Sequence, residues 1–203
     1  MERGRAGFEA VGIGASAGGV TALLAVIAAL PADFAAPVFV VLHLDPRHHS
    51  LLPDLLRRRA AVRVQEAVND EVVRPGVVYI APPDKHLLAA HGRISLTSSE
   101  LVHFSRPSID LLLESVAGTY GPRAIGVVLT GTGMDGATGI RAVKDRGGTT
   151  IVQDPEDAEH GGMPRAALAT GCVDFKLRLE DVGPALARLV SRAKAEAEAD
   201  PAP

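Results

Sequence analysis

Residues 11–19 read Val-Gly-Ile-Gly-Ala-Ser-Ala-Gly-Gly and lie between a short apolar run and a longer one at 20–30. An apolar run that meets clustered glycines and resumes as good helix formers is a strand, a tight turn and a helix. Within the turn, Gly14-Ala15-Ser16-Ala17-Gly18 fits G-x-S-x-G, in which small neighbours leave a serine hydroxyl exposed at a helix N-terminus. Free backbone N–H groups there would face any oxyanion formed when Ser16 attacks a carbonyl. The same letters, Gly12 to Ala17, also satisfy G-x-G-x-x-A, the dinucleotide-binding turn. A third reading has the glycines only tightening the connection while Ser16 caps the helix.

The rest of the chain repeats this strand-and-helix alternation. Segments 37–42 and 124–129 are almost wholly apolar, as expected of strands covered by helices on both faces. Further strands are expected at 8–14, 62–65, 77–80, 149–153 and 172–175. Helices are expected at 20–30, 50–59, 108–120, 140–146 and 182–192, with a short one after Gly161-Gly162-Met163-Pro164. Segments 86–89 and 93–96 flank His91-Gly92 and predict an antiparallel hairpin. The expected fold is α/β: a doubly wound, mostly parallel sheet with helices on both faces and a small antiparallel hairpin. The 203 residues suit one domain over 1–192, followed by a fraying tail at 193–203.

Composition removes several classes of function. A net charge of −3 with no Trp gives no electrostatic or stacking case for nucleic acid. The longest apolar region, 20–42, is broken by Pro31, Asp33 and Pro37, so membrane insertion is not expected and the cytoplasm is the expected location. Cys172 is the only cysteine, which excludes an intramolecular disulfide and a cysteine-rich zinc site. His48 and His49 are adjacent, so they cannot present the i, i+4 face of a zinc helix, and neither metal nor cofactor is expected.

In a doubly wound sheet, ligand chemistry gathers at the carboxyl ends of the strands. Ser16, His43 and Asp135 each fall just beyond such an end. Neutral His43 can take the Ser16 proton, and Asp135 can hold the imidazole and stabilise the imidazolium, which is the chemistry of acyl transfer. Each residue alone has a plainer role, Asp135 as the cap of its own helix. The dinucleotide reading wants an acid near the end of the second strand. That strand ends in His43, with Asp45 late and beside Pro46.

Six segments, taken in order, resemble the catalytic domain of chemotaxis protein-glutamate methylesterases. They are Gly14-Ala15-Ser16-Ala17-Gly18-Gly19, Val41-Leu42-His43-Leu44, Tyr79-Ile80-Ala81-Pro82-Pro83-Asp84, Arg106-Pro107-Ser108-Ile109-Asp110, Leu129-Thr130-Gly131-Thr132-Gly133-Met134-Asp135-Gly136-Ala137 and Gly162-Met163-Pro164. The resemblance implies hydrolysis of glutamyl methyl esters on the cytoplasmic helices of methyl-accepting chemoreceptors, with glutamine deamidation in some members. It carries the catalytic triad onto Ser16, His43 and Asp135, and it makes the backbone N–H groups of Ala17, Thr132 and Gly133 oxyanion candidates. Family members often have threonine at the position of Ala17 and methionine at that of Thr132. Gly-Ala-Ser-Ala-Gly-Gly and Thr-Gly-Thr-Gly look more like members fused to a methyltransferase domain.

The stand-alone family enzyme carries a phosphorylated receiver domain before the catalytic one. For this chain the expectation is control by a separate regulatory or methyltransferase partner instead. Arg106 and the arginines at 57–59 are candidates to meet acidic side chains of a receptor. Two other readings stand beside the esterase: a non-catalytic receptor-binding adaptor and a dinucleotide-binding oxidoreductase.

Overall fold

A computed structural model describes residues 10–43, 51–102 and 105–199, with side chains described as far as 191. Phe8, Asp45, His48, His49, Ser50 and the end of the expected tail at 200–203 lie outside the described residues.

Seven strands form one wholly parallel sheet. They are β1 (Ala10–Ala15), β2 (Val38–Leu42), β3 (Arg63–Glu66), β4 (Val77–Ile80), β7 (Ala124–Val128), β8 (Thr149–Gln153) and β9 (Phe175–Leu177), in the spatial order β3-β4-β2-β1-β7-β8-β9. The other two strands, β5 (His86–Ala90) and β6 (Arg93–Thr97), make the expected antiparallel hairpin. Strand order reverses beside β1, so the central strands β2, β1 and β7 deliver their following loops to one crevice.

Side chains alternate along each strand and feed two cores. Val38 and Val40 of β2 pack with α1 (Gly19–Ala28), α2 (Leu52–Arg57) and α6 (Leu179–Ala199). Phe39 and Val41 pack on the other face with α3 (Ile109–Tyr120), α4 (Ala137–Asp145), α5 (Gly162–Ala169) and the hairpin. Both faces are covered, which is why these strands are continuously apolar.

The α3 face of β1 is built from glycine. A Cβ added to Gly14 would lie 2.2 Å from Ile109 Cγ2, and one added to Gly12 would lie 2.8 Å from Leu113 Cδ2. Those two glycines therefore admit a helix against the central strand rather than a pyrophosphate, and the dinucleotide reading loses its motif. The close approach sets the N-terminus of α3 at the carboxyl edge of the sheet.

Some boundaries depart from the sequence reading. The cap of α1 is Gly18, in the left-handed region at φ 74°, with no side-chain cap, so Ser16 does not cap this helix. The last strand is Phe175–Leu177 rather than 172–175. Asp174 Oδ2 accepts from the Thr150 N–H and hydroxyl at 3.0 Å each, and the same hydroxyl lies 2.7 Å from the Cys172 carbonyl. These side-chain bonds tie the preceding residues in a turn, so the ladder starts three residues later. The last helix begins at Leu179 and runs to Ala199, so residues 193–199 are helical, not the expected tail. Their alanine, lysine and glutamate content has high intrinsic helix propensity.

Candidate active site

The three strand-end residues expected to work together come from three adjacent strands. β1 and β2 run in register to Ala15 opposite Leu42, and the His43 N–H continues the ladder to the Ala15 carbonyl at 3.1 Å. One residue further along each chain come Ser16, after β1, and His43, after β2. On its other side the Ser16 N–H donates to the Thr130 carbonyl at 3.0 Å, beyond the end of β7. Asp135 enters from the loop after β7, and its Oδ2 lies 2.9 Å from His43 Nε2. The His43 side chain is 18% exposed and that of Asp135 only 4%.

Asp135 was expected to cap its own helix if it had a structural role, but α4 is capped by Gly136 without a side chain. It caps α3 instead. Its Oδ2 accepts from the Ile109 N–H at 2.8 Å, and its Oδ1 accepts from the Asp110 N–H at 2.9 Å and the Ser108 hydroxyl at 3.2 Å. Asp110 returns the arrangement, accepting from the Gly136 and Gly139 N–H groups at 2.9 and 2.7 Å. Each aspartate thus closes the other's helix N-terminus, where partial positive charge favours a carboxylate. Burial pushes the Asp135 pKa up, but the hydrogen bond from His43 and the N–H groups of Ile109 and Asp110 outweigh it, and the net shift is down from 3.8. The carboxylate stays ionised, so Nε2 of His43 carries the proton it donates, and a neutral ring keeps its lone pair on Nδ1.

The nucleophile turn is braced from β8 and the loop before α5. Thr130 Oγ1 donates to the Ala17 carbonyl at 3.0 Å and accepts from the His160 N–H at 2.9 Å, while the Thr130 N–H reaches Gln153 Oε1 at 2.9 Å. A Cβ on Gly131 would come within 2.8 Å of Ser16 Cβ, so the second glycine turn lies directly against the serine. With the Ser16 N–H used by Thr130, the next N–H in the turn is that of Ala17. Thr132 and Gly133 are exposed, and Gly133 sits in the left-handed region at φ 81°. A Cβ on Gly162 would lie 3.1 Å from the Gly133 nitrogen, so Gly162 is small because this turn rests on it.

Arg106 is committed elsewhere. Its Nε lies 2.8 Å from Asp84 Oδ1 and its Nη1 reaches the carbonyls of Ser98 and Ser99 at 3.2 and 2.8 Å. That fixes the loop before α3 and weighs against the expected contact with substrate. Arg57 likewise bonds the Val64 carbonyl at 3.0 Å and pairs with Asp54. Sequence reasoning passed over Ser108, Asp110, Thr130 and Gly162 as site residues. Ser108 and Asp110 carried a signal, a serine and an acid opening an apolar helix, but it pointed only to a helix start.

This is an α/β protein with a serine, a histidine and an aspartate gathered at the carboxyl edge of a parallel sheet, the class to which serine hydrolases of several folds belong. The chain belongs to the CheB methylesterase family, whose sequence profile matches residues 11–186. It is 39% identical over 183 residues to a putative protein-glutamate methylesterase/protein-glutamine glutaminase of Leptospira interrogans, covering 90% of this chain and 95% of that one. The protein-glutamate methylesterase/protein-glutamine glutaminase of Moorella thermoacetica is 41% identical over 194 residues, covering 93% of this chain and 46% of the relative. Against Moorella-type relatives the chain spans about half the length; against the Leptospira protein it spans nearly all. The crystal structure of the Thermotoga maritima CheB methylesterase catalytic domain superposes with a TM-score of 0.86 at 38% identity, covering 90% of this chain and 98% of that one.

Proposed function

We propose that the chain is a protein-glutamate methylesterase of chemotaxis-type adaptation, with protein-glutamine glutaminase as its second activity, and that Ser16, His43 and Asp135 carry the reaction. The observation that supports this most is the 2.9 Å pair between His43 Nε2, just past β2, and Asp135 Oδ2, from the loop after β7, with Ser16 just past β1, the strand that lies between those two. Ser16 Oγ attacks the ester carbonyl as its proton passes to His43 Nδ1. The tetrahedral oxygen takes its hydrogen bonds from backbone N–H groups at Ala17 and at the Thr132-Gly133 turn. Collapse expels methanol, which leaves with the proton from His43. Water then enters, gives a proton to the same nitrogen and cleaves the acyl-serine, releasing the glutamate carboxylate and restoring Ser16. Asp135 stays ionised throughout and stabilises each imidazolium. With an amide in place of the ester, ammonia leaves instead and the steps are otherwise the same.

The catalytic unit in this reading spans 1–192, its substrates are the cytoplasmic helices of methyl-accepting chemoreceptors, and it works in the cytoplasm. No helix among the described residues is long and apolar enough to cross a membrane. The test is methanol release from methyl-labelled receptor membranes together with fluorophosphonate labelling of the purified chain. Both are expected for the wild type and absent in Ser16→Ala. Labelling without Ser16 dependence, or a folded wild type that releases no methanol, would overturn the assignment in favour of receptor binding without catalysis.

A further inference from the structure

His86 opens β5, the first strand of the hairpin, and is itself 0% exposed. A buried imidazole is costly unless both nitrogens are hydrogen-bonded, and an aliphatic side chain would fill the same space without that demand. Both nitrogens are used. Nδ1 accepts from the Ser108 N–H at 3.1 Å, and Nε2 donates to the Glu100 carbonyl at 3.1 Å. The backbone donor at Ser108 and the carbonyl acceptor at Glu100 require the neutral ring with its proton on Nε2. One side chain therefore holds both ends of the segment that leads from the hairpin into α3.

Ser108 continues the path. It is buried, it caps α3 by accepting from the Leu111 N–H at 3.4 Å, and its hydroxyl donates to Asp135 Oδ1 at 3.2 Å. The next two N–H groups, of Ile109 and Asp110, also end on Asp135. Three of the donors that orient this carboxylate thus come from three consecutive residues whose first member is pinned by His86. The fourth donor is His43 Nε2, which shares Oδ2 with the Ile109 N–H.

We propose that His86 is a positioning residue for the esterase site, acting through Ser108 to aim Asp135 at His43. The proposal rests on the esterase reading for its kinetic consequence, though not for its geometric one. A misplacement of about 1 Å at such a site can cost on the order of 100-fold in rate, so a partial release of Ser108 is expected to cost about tenfold.

Two amides separate the atoms of the ring. In His86→Asn the amide oxygen occupies the place of Nδ1 and can still accept from Ser108, whereas in His86→Gln the amide takes the place of Nε2 and leaves that N–H unanswered. His86→Gln should lower kcat about tenfold with KM unchanged. It should also shift the proton resonance of the His43 ring N–H that bonds Asp135. His86→Asn should recover most of both. Equal kcat and equal His43 resonances in the two variants would overturn the proposal. If His86→Gln does not fold, Ser108→Ala removes the hydroxyl's bond to Asp135 together with its cap on Leu111 and keeps the N–H that His86 holds; an unmoved His43 resonance there overturns the proposal equally, and a shifted one supports it. Because the resonance needs no substrate, a shift in a chain without esterase activity would retain the positioning role and reject the reaction.

Discussion

Replacing Gly14 with alanine tests whether α3 is set in place by a missing side chain on β1. Gly14 is not in the left-handed region, so alanine brings no backbone penalty there and the cost is purely steric. The new methyl would lie 2.2, 2.8 and 2.9 Å from Cγ2, Cγ1 and Cδ1 of Ile109, all closer than real contacts allow. Ile109 is 0% exposed and stands at the first position of α3, so it cannot swing aside into solvent. Overpacking of this kind costs about 1–3 kcal/mol, which in a domain of this size lowers Tm by about 2–4 °C for each kcal/mol. Relief by moving α3 would carry the Ile109 N–H away from Asp135 and reduce kcat as well. The assay is a double-mutant cycle by urea denaturation with Ile109→Ala, which removes all three clashing atoms. Ile109→Ala alone should cost about 2–5 kcal/mol, and in its background Gly14→Ala should cost close to nothing. A Gly14→Ala variant as stable as the wild type, or one whose cost is undiminished by Ile109→Ala, would refute the reasoning.

Asp135→Asn should keep the fold but place an amide where four donors converge, lowering kcat by roughly 10⁴-fold, as expected when a triad histidine loses its orienting carboxylate. The folded-state pKa of Asp135 is depressed below 3.8, so its ionisation stabilises the protein above that pH and the contribution is lost as pH falls through the lower folded value. Urea midpoints followed from pH 6 downward should therefore fall less steeply in acid for Asp135→Asn than for the wild type; parallel curves would contradict the shift. Arg106→Ala should lower Tm and leave KM unchanged, because its partners are Asp84 and the carbonyls of Ser98 and Ser99. A raised KM at unaltered Tm would return Arg106 to the substrate site.

The parallel sheet was legible because burial on both faces leaves unbroken apolar runs, as in 37–42 and 124–129. Ser16, His43 and Asp135 could be proposed together for a related reason: a strand end is a place that a linear pattern marks, and the fold rule says those ends meet. The resemblance to a known family then supplied the substrate class, which periodicity and spacing could not. Boundaries were less secure wherever side chains compete with the ladder, as Asp174 and Thr150 do ahead of β9.

What the amino-acid order determined by itself was therefore the local alphabet: which runs are strands, where the chain turns, and which reactive residues fall at the turns. Only the tertiary structure decided what the remaining polar residues do. Gly12 and Gly14 read alike as a phosphate loop or as a tight turn until α3 is seen filling the space above them. Asp135 read as a triad carboxylate, with the cap of α4 as its plainer role, until its other oxygen contacts are found on α3, and His86 read as one more residue of a hairpin strand. These roles depend on partners 14 to 101 positions away, and hydrogen bonds and steric contacts at that separation leave no periodic trace along the chain.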